Sequence, residues 1–145
     1  MMTSIKQLLA PDGTIVVLGN EAIVRGALEA GLHFFASYPG TPVSEVGEVL
    51  SLAAQEKADL RLYAEWSTNE KVAMESAFAA SLAGRRTLFA AKHVGHNVAM
   101  DVIMTMAYEG CRGGLVLVTG DDPSMHSSQN EQDNRWVGTM SGIPV

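Results

Sequence analysis

The sequence predicts an α/β fold: an open, mostly parallel sheet with helices on both faces. From residue 13 onward, β-branched and apolar runs alternate with stretches whose apolar residues recur at helical spacing. The connections between them are short, as in successive βαβ units. Glycine, proline and polar residues gather where each strand run ends, while the helix-to-strand joints are bland. In open parallel sheets, ligands bind outside those carboxyl ends.

Residues 14–18 (Thr-Ile-Val-Val-Leu) form a continuous β-branched run, the mark of a strand buried on both faces. A helix is expected over 22–30, closed by Gly31. Residues 33–37 predict the next strand, ended by Tyr38-Pro39-Gly40-Thr41-Pro42. Residues 43–57 are amphipathic, with Val46, Val49, Leu50, Ala53 and Ala54 on one face. Further strands are expected at 60–64, 87–91 and 114–119, and helices at 67–84 and 97–108. The stretch 69–83 is apolar almost all round, so a buried helix packed on a neighbouring helix or subunit is expected. Ile143-Pro144-Val145 reads as the approach to another strand, so the module is expected to be incomplete at residue 145. Residues 1–12 read as an N-terminal extension and 13–145 as one module.

The 145 residues suffice for one domain with a core. Hydrophobic residues make up 47% and charged residues 18%, which argues for a globular chain rather than a disordered one. A net charge of −6 without a Lys/Arg run argues against nucleic-acid binding. Cys111, the single cysteine, forms no internal disulfide, holds no iron–sulfur cluster alone, and suits a reducing cytoplasm. The N-terminal apolar stretch is broken by Pro11, unlike a signal peptide. No apolar run approaches the ~18 residues of a membrane helix, so a soluble, cytoplasmic protein is expected.

Each strand-end motif has a bland reading beside a functional one. No G-x-G-x-x-G follows a strand and no P-loop exists. Tyr38-Pro39-Gly40-Thr41-Pro42 is a turn on composition alone. Lys92, His93 and His96 form a positive or proton-donating cluster, or else solvated side chains near a helix start. The two histidines lack a third ligand at a familiar interval, so no metal is expected there. Asp121 and Asp122 are acids or caps. Ser67-Thr68-Asn69-Glu70 fits a capping box, with a catalytic carboxylate at Glu70 as the competing reading.

Taken in order, several motifs resemble one family. They are Gly19-Asn20-Glu21-Ala22, the Tyr38–Pro42 turn, Glu65-Trp66 with Asn69-Glu70-Lys71, Lys92-His93-Val94-Gly95, and the polar signature at 121–134. The family is the thiamine-diphosphate-dependent 2-oxoacid:ferredoxin oxidoreductases, and the similarity is to the N-terminal pyrimidine-binding region of their indolepyruvate-type alpha subunits. The fourteen-residue signature is the most specific part, and the resemblance spans residue 13 to the C-terminus.

The resemblance implies a pyrimidine-binding module that faces a separate diphosphate-binding module. It places at Glu70 a glutamate that bonds the N1′ nitrogen of the aminopyrimidine, with Glu65 the close alternative. Such a bond favours the imino tautomer, which removes the thiazolium C2 proton. Gly40, Thr41 and Asn97 are implied beside the cofactor, and Thr41 also near the oxoacid. Related pyruvate enzymes carry an arginine for the substrate carboxylate where this chain has Asp121. Lys92, His93 or His96 is therefore expected to supply the positive charge, and the substrate is expected to be an arylpyruvate such as indolepyruvate.

The implied cofactors are thiamine diphosphate with Mg²⁺, the metal held by the other module, and [4Fe-4S] clusters in a partner or another region. The implied partners are the diphosphate-binding module, other subunits, ferredoxin, the 2-oxoacid and coenzyme A. The implied reaction is oxidative decarboxylation to an acyl-CoA, with this chain inactive alone. Two other readings stand beside it: a non-catalytic assembly module, and a flavodoxin-like nucleotide-binding domain.

Overall fold

The computed structural model describes residues 3–56 and 58–145. Four strands among them form one sheet: Phe34–Ser37 (β1), Tyr63–Trp66 (β2), Thr87–Lys92 (β3) and Leu115–Gly120 (β4). Their order is β2-β1-β3-β4 and every pairing is parallel. The helices are Ile5–Leu8 (α1), Gly19–Glu29 (α2), Ser44–Glu56 (α3), Glu70–Leu82 (α4), His93–Glu109 (α5) and Arg135–Ser141 (α6).

Residue alternation on the inner strands builds two cores. Phe35, Leu88 and Ala90 point to one face, where Leu8, Val24 and Val46 from α1, α2 and α3 cover them. Ala36, Phe89 and Ala91 point to the other, against Met74, Ala77 and Ile103 of α4 and α5. All six residues of β3 are buried, as expected of an inner strand covered on both sides. Each large side chain so enclosed contributes about 1.5–3 kcal/mol. The helix-covered parallel sheet is therefore the one the alternation predicts.

Several expectations are corrected. Residues 14–18 pair with no strand among the described residues, and Val16 is 95% exposed. The buried Glu21 explains why: its carboxylate accepts the backbone N–H of Leu18 (2.8 Å) and both the N–H and hydroxyl of Thr3 (2.6 and 2.9 Å). The run is thus tied to the first turn of α2 instead of to the sheet. Residues 143–145 form no strand either; Ile143 and Val145 fold back against Gly138 of α6.

The strand expected at 60–64 lies at Tyr63–Trp66, after a 3-10 turn at Ala58–Leu60. α4 buries Ala73, Met74, Ala77 and Phe78 yet leaves Val72 and Leu82 exposed, so only one of its faces is enclosed. Residues 3–12 dock on the domain. Leu8 joins the core, and the Arg25 guanidinium donates to the Leu8 and Ala10 carbonyls at 2.6 and 2.7 Å. Among the described residues no helix is long and apolar enough to cross a membrane.

Candidate functional site

β3 passes straight into α5, four residues earlier than the sequence pattern suggested. Lys92 is the N-cap residue of α5 and His93 its first residue, so Lys92, His93 and His96 share one turn at the carboxyl end of the sheet. After β4, residues 121–134 run back over that turn as a strap. Asp122 organises the strap. Its carboxylate accepts the Ser128 hydroxyl (2.6 Å), the N–H groups of Ser127 (2.8 Å) and His126 (3.2 Å), and the Ser127 hydroxyl (3.3 Å). These donors, the Ser128 hydroxyl first, lower its pKa from 3.8 to about 2. Asp121 accepts the Thr119 hydroxyl at 2.8 Å and the Asn134 N–H at 2.9 Å, closing the far end.

Three side-chain contacts fasten the strap to α5. The Lys92 ammonium donates to the Ser127 carbonyl (2.6 Å) and hydroxyl (3.1 Å). His93 Nε2 lies 3.2 Å from the Asn130 side-chain oxygen. Asn97 and Gln132 exchange two amide bonds, at 3.0 and 2.9 Å. Both histidines are enclosed by their own chain. His93 is fully buried, with Nδ1 unpartnered among the described residues. His96 donates from Nε2 to the Val118 carbonyl at 3.3 Å and stands edge-on to Phe89. Burial lowers the His96 pKa below its ordinary 6.5, so it is neutral at pH 7. Of the three residues expected to supply positive charge, Lys92 is the one whose ammonium is held by two oxygen acceptors of the strap.

The Tyr38–Pro42 turn leans on this cluster. A Cβ on Gly40 would lie 3.1 Å from Lys92 Cβ, and Gly120 at the end of β4 abuts Pro42 and Val43. Asn20 holds the turn by donating to the Pro42 carbonyl (2.7 Å) and the Glu45 carboxylate (2.9 Å). Gly40 N–H donates to the Ser44 hydroxyl at 3.0 Å, and Thr41 is exposed at the tip. The Gly19-Asn20-Glu21 motif is thereby explained: Asn20 fixes the turn and Glu21 fixes the segment before α2.

The capping box does not form. Asn69 caps α4, its side-chain oxygen accepting the Val72 N–H at 2.9 Å, while the Ser67 N–H goes to the Ser37 carbonyl at 2.8 Å. Glu70 is instead the first residue of α4, half-buried, with its carboxylate against Gly95 of α5. Among the described residues that carboxylate accepts no hydrogen bond and forms no ion pair. Glu65, on the edge strand β2, accepts the Ser67 hydroxyl at 3.1 Å and raises the pKa of the Tyr63 phenol by accepting its hydrogen bond. Sequence reasoning missed the organising role of Asp122 and the cap at Asn69, although asparagine at a helix start is itself a signal. Among the described residues no three His, Cys, Asp or Glu side chains gather as a metal site.

Comparison with known proteins gives consistent matches. The family profile described as "Pyruvate flavodoxin/ferredoxin oxidoreductase, thiamine diP-bdg" matches residues 25–132. The chain is 58% identical over 132 residues to the indolepyruvate oxidoreductase subunit IorA of Archaeoglobus fulgidus, covering 90% of this chain and 21% of that protein. It is 53% identical over 135 residues to the same-named subunit of Pyrococcus horikoshii, covering 93% and 20%. The chain thus spans about a fifth of the length of these curated relatives. Among solved structures, it is similar to a 2-oxoglutarate:ferredoxin oxidoreductase from Magnetococcus marinus with 2-oxoglutarate, coenzyme A and succinyl-CoA bound. The TM-score is 0.66 at 24% identity, over 88% of this chain and 22% of that one, and this likeness shows the fold.

Proposed function

We infer the function from the family to which this chain belongs, the thiamine-diphosphate-binding family of pyruvate flavodoxin/ferredoxin oxidoreductases: it is the pyrimidine-binding part of an indolepyruvate-type 2-oxoacid:ferredoxin oxidoreductase. The observation that carries this reading is the uncommitted Glu70 carboxylate. A side chain needed only to cap its helix would face a backbone N–H, and that work falls to Asn69.

The residues present fit the pyrimidine end of the cofactor. A ring nitrogen calls for a carboxyl group in a partly shielded place, and Glu70 sits half-buried where α4 meets α5. Mg²⁺ and the diphosphate belong, in this reading, to a separate module. Thiamine diphosphate, when bound, supplies an acidic ring carbon that adds to a 2-oxo group and a ring that holds the electron pair left as carbon dioxide departs. Glu70 holds a proton at the pyrimidine nitrogen; Glu65, Gly40, Thr41 and Asn97 complete the cofactor side. Lys92 faces the substrate carboxylate with a charge-assisted bond, and the Thr41 hydroxyl bonds the oxoacid. His93 holds the strap through Asn130, and His96 ties the first turn of α5 to β4 through the Val118 carbonyl.

An arylpyruvate is the substrate in this reading, supported by the names of the relatives and by Asp121 standing where an arginine would suit pyruvate. The acyl group passes to coenzyme A, and electrons pass to ferredoxin through [4Fe-4S] clusters of a partner or another region. The test is Glu70→Gln in the assembled enzyme, with C2 proton exchange of bound thiamine diphosphate followed by NMR. Exchange is expected to slow about 10²–10⁴-fold, with the melting temperature unchanged because the Asn69 cap remains. Unchanged exchange moves the role to Glu65. Silence of Glu65→Gln as well would leave a non-catalytic assembly module.

A further inference from the structure

We propose that Gly95 is a positioning residue for Glu70: lacking a side chain, it leaves open the space in which that carboxylate lies between α4 and α5. The inference rests on the cofactor role of Glu70 given above.

Gly95 is the third residue of α5, buried, and its backbone is not in the left-handed region. Nothing in the main chain therefore calls for glycine, which is a poor helix former beside alanine. The neighbouring space does call for it. A Cβ at this position would lie 2.7 Å from Glu70 Cγ, 2.7 Å from Oε1 and 3.0 Å from Cδ, where ordinary contact begins near 3.4 Å.

The two helix starts have little room to yield. Lys92, His93 and Asn97 pin the first turns of α5 to the strap. The Asn69 cap and the Ser67–Ser37 backbone bond pin the start of α4. The atoms that meet the added methyl are the outer end of a flexible side chain, so the Glu70 side chain gives way and the fold does not. Stability and chemistry part company at this position. Alanine suits the helix but moves the carboxylate, and misplacement by an ångström costs catalysis up to about a hundredfold.

The experiment compares Gly95→Ala, Glu70→Ala, the double variant and Glu70→Gln in the full-length assembled enzyme. C2 proton exchange of bound cofactor is read beside the melting temperature of the cofactor-free assembly and the Glu70 side-chain conformer in its crystal structure. Gly95→Ala is expected to slow exchange at least about tenfold, to leave the melting temperature equal or higher, and to rotate Glu70. An alanine at position 70 places no atom in the occupied space, so Gly95→Ala should have little further effect in the Glu70→Ala background. Wild-type exchange in Gly95→Ala, an unmoved Glu70, or fully additive losses in the double variant would each overturn the proposal. If Glu70→Gln is slow while Gly95→Ala is normal, this inference alone fails. If Glu70→Gln exchanges normally, the cofactor role and this inference fail together.

Discussion

The Lys92 ammonium is held by Ser127, 35 residues away, through the carbonyl at 2.6 Å and the hydroxyl at 3.1 Å. Both acceptors are neutral, and among the described residues Lys92 has no carboxylate within ion-pair distance. At 9% exposure the charge is largely withdrawn from water. A buried cation without a counter-ion is costly, and an incoming carboxylate relieves that cost.

Lys92→Met is accordingly expected to lower kcat/KM for arylpyruvates in the assembled enzyme. A bond to a charged group contributes about 1.5–3 kcal/mol, or roughly 10–150-fold. Exchange at the cofactor carbon without substrate should stay near normal. Steady-state kinetics with indolepyruvate and pyruvate measure this; unchanged kcat/KM, or equal turnover of the two acids, contradicts it.

Asn69→Ala addresses the cap. Loss of the Val72 N–H acceptor should cost about 1 kcal/mol by chemical denaturation. Cofactor exchange should barely change, the reverse of the pattern expected for Glu70→Gln. A stability loss larger in Glu70→Gln than in Asn69→Ala would return the capping role to Glu70.

Asp122 links the strap to pH. Its folded-state pKa of about 2 lies below the ordinary 3.8, so the folded chain resists a proton that the unfolded chain accepts. The stabilisation is complete above about pH 4 and is lost as pH falls from there towards about 2. Amide protection at His126 and Ser127 should fade over that window. Asp122→Asn should weaken the strap throughout and remove this part of the acid dependence. Parallel acid profiles for the two proteins would refute the assignment.

His96 acts at milder acidity. Desolvation is the chief cause of its lowered pKa; the bond to the Val118 carbonyl and the charge of Asp121 oppose it, and His93 adds to it. Its contribution to stability is full above pH 6.5 and is lost as pH drops through the lower folded value. Melting temperature should therefore decline on acidification from neutral pH, less steeply in His96→Leu. NMR titration of the ring gives a direct check, and a midpoint at or above 6.5 would count against it.

Much of this was legible in the residues, for stated physical reasons. β1 and β3 lie within a residue of their apolar runs because inner strands of a parallel sheet must be apolar on both faces, and the edge strand β4 matches its run equally closely. The run at 14–18 has the same composition but no pairing partner, and composition alone cannot reveal a missing neighbour. Ser67 and Glu70 have the spacing of a capping box, yet Ser67 belongs to the backbone ladder beside β1, and the cap falls at Asn69 instead. The motifs around Glu70, Lys92 and Thr41 were visible as strand ends. That the 121–134 signature folds onto Lys92 and His93 depends on contacts across 35 to 37 residues, which no local pattern encodes.

Those separations also impose an order of assembly. Lys92, His93 and Asn97 can meet Ser127, Asn130 and Gln132 only after β4 has docked beside β3 and closed the intervening loop. The β3–β4 pairing joins residues 28 apart, whereas the strap contacts around the same helix join residues 35 to 37 apart and close later. A refolding chain is thus expected to regain its secondary structure before it becomes competent. In pulsed hydrogen exchange the amides of His126 and Ser127 should acquire protection after those of β3, and simultaneous protection would contradict that order.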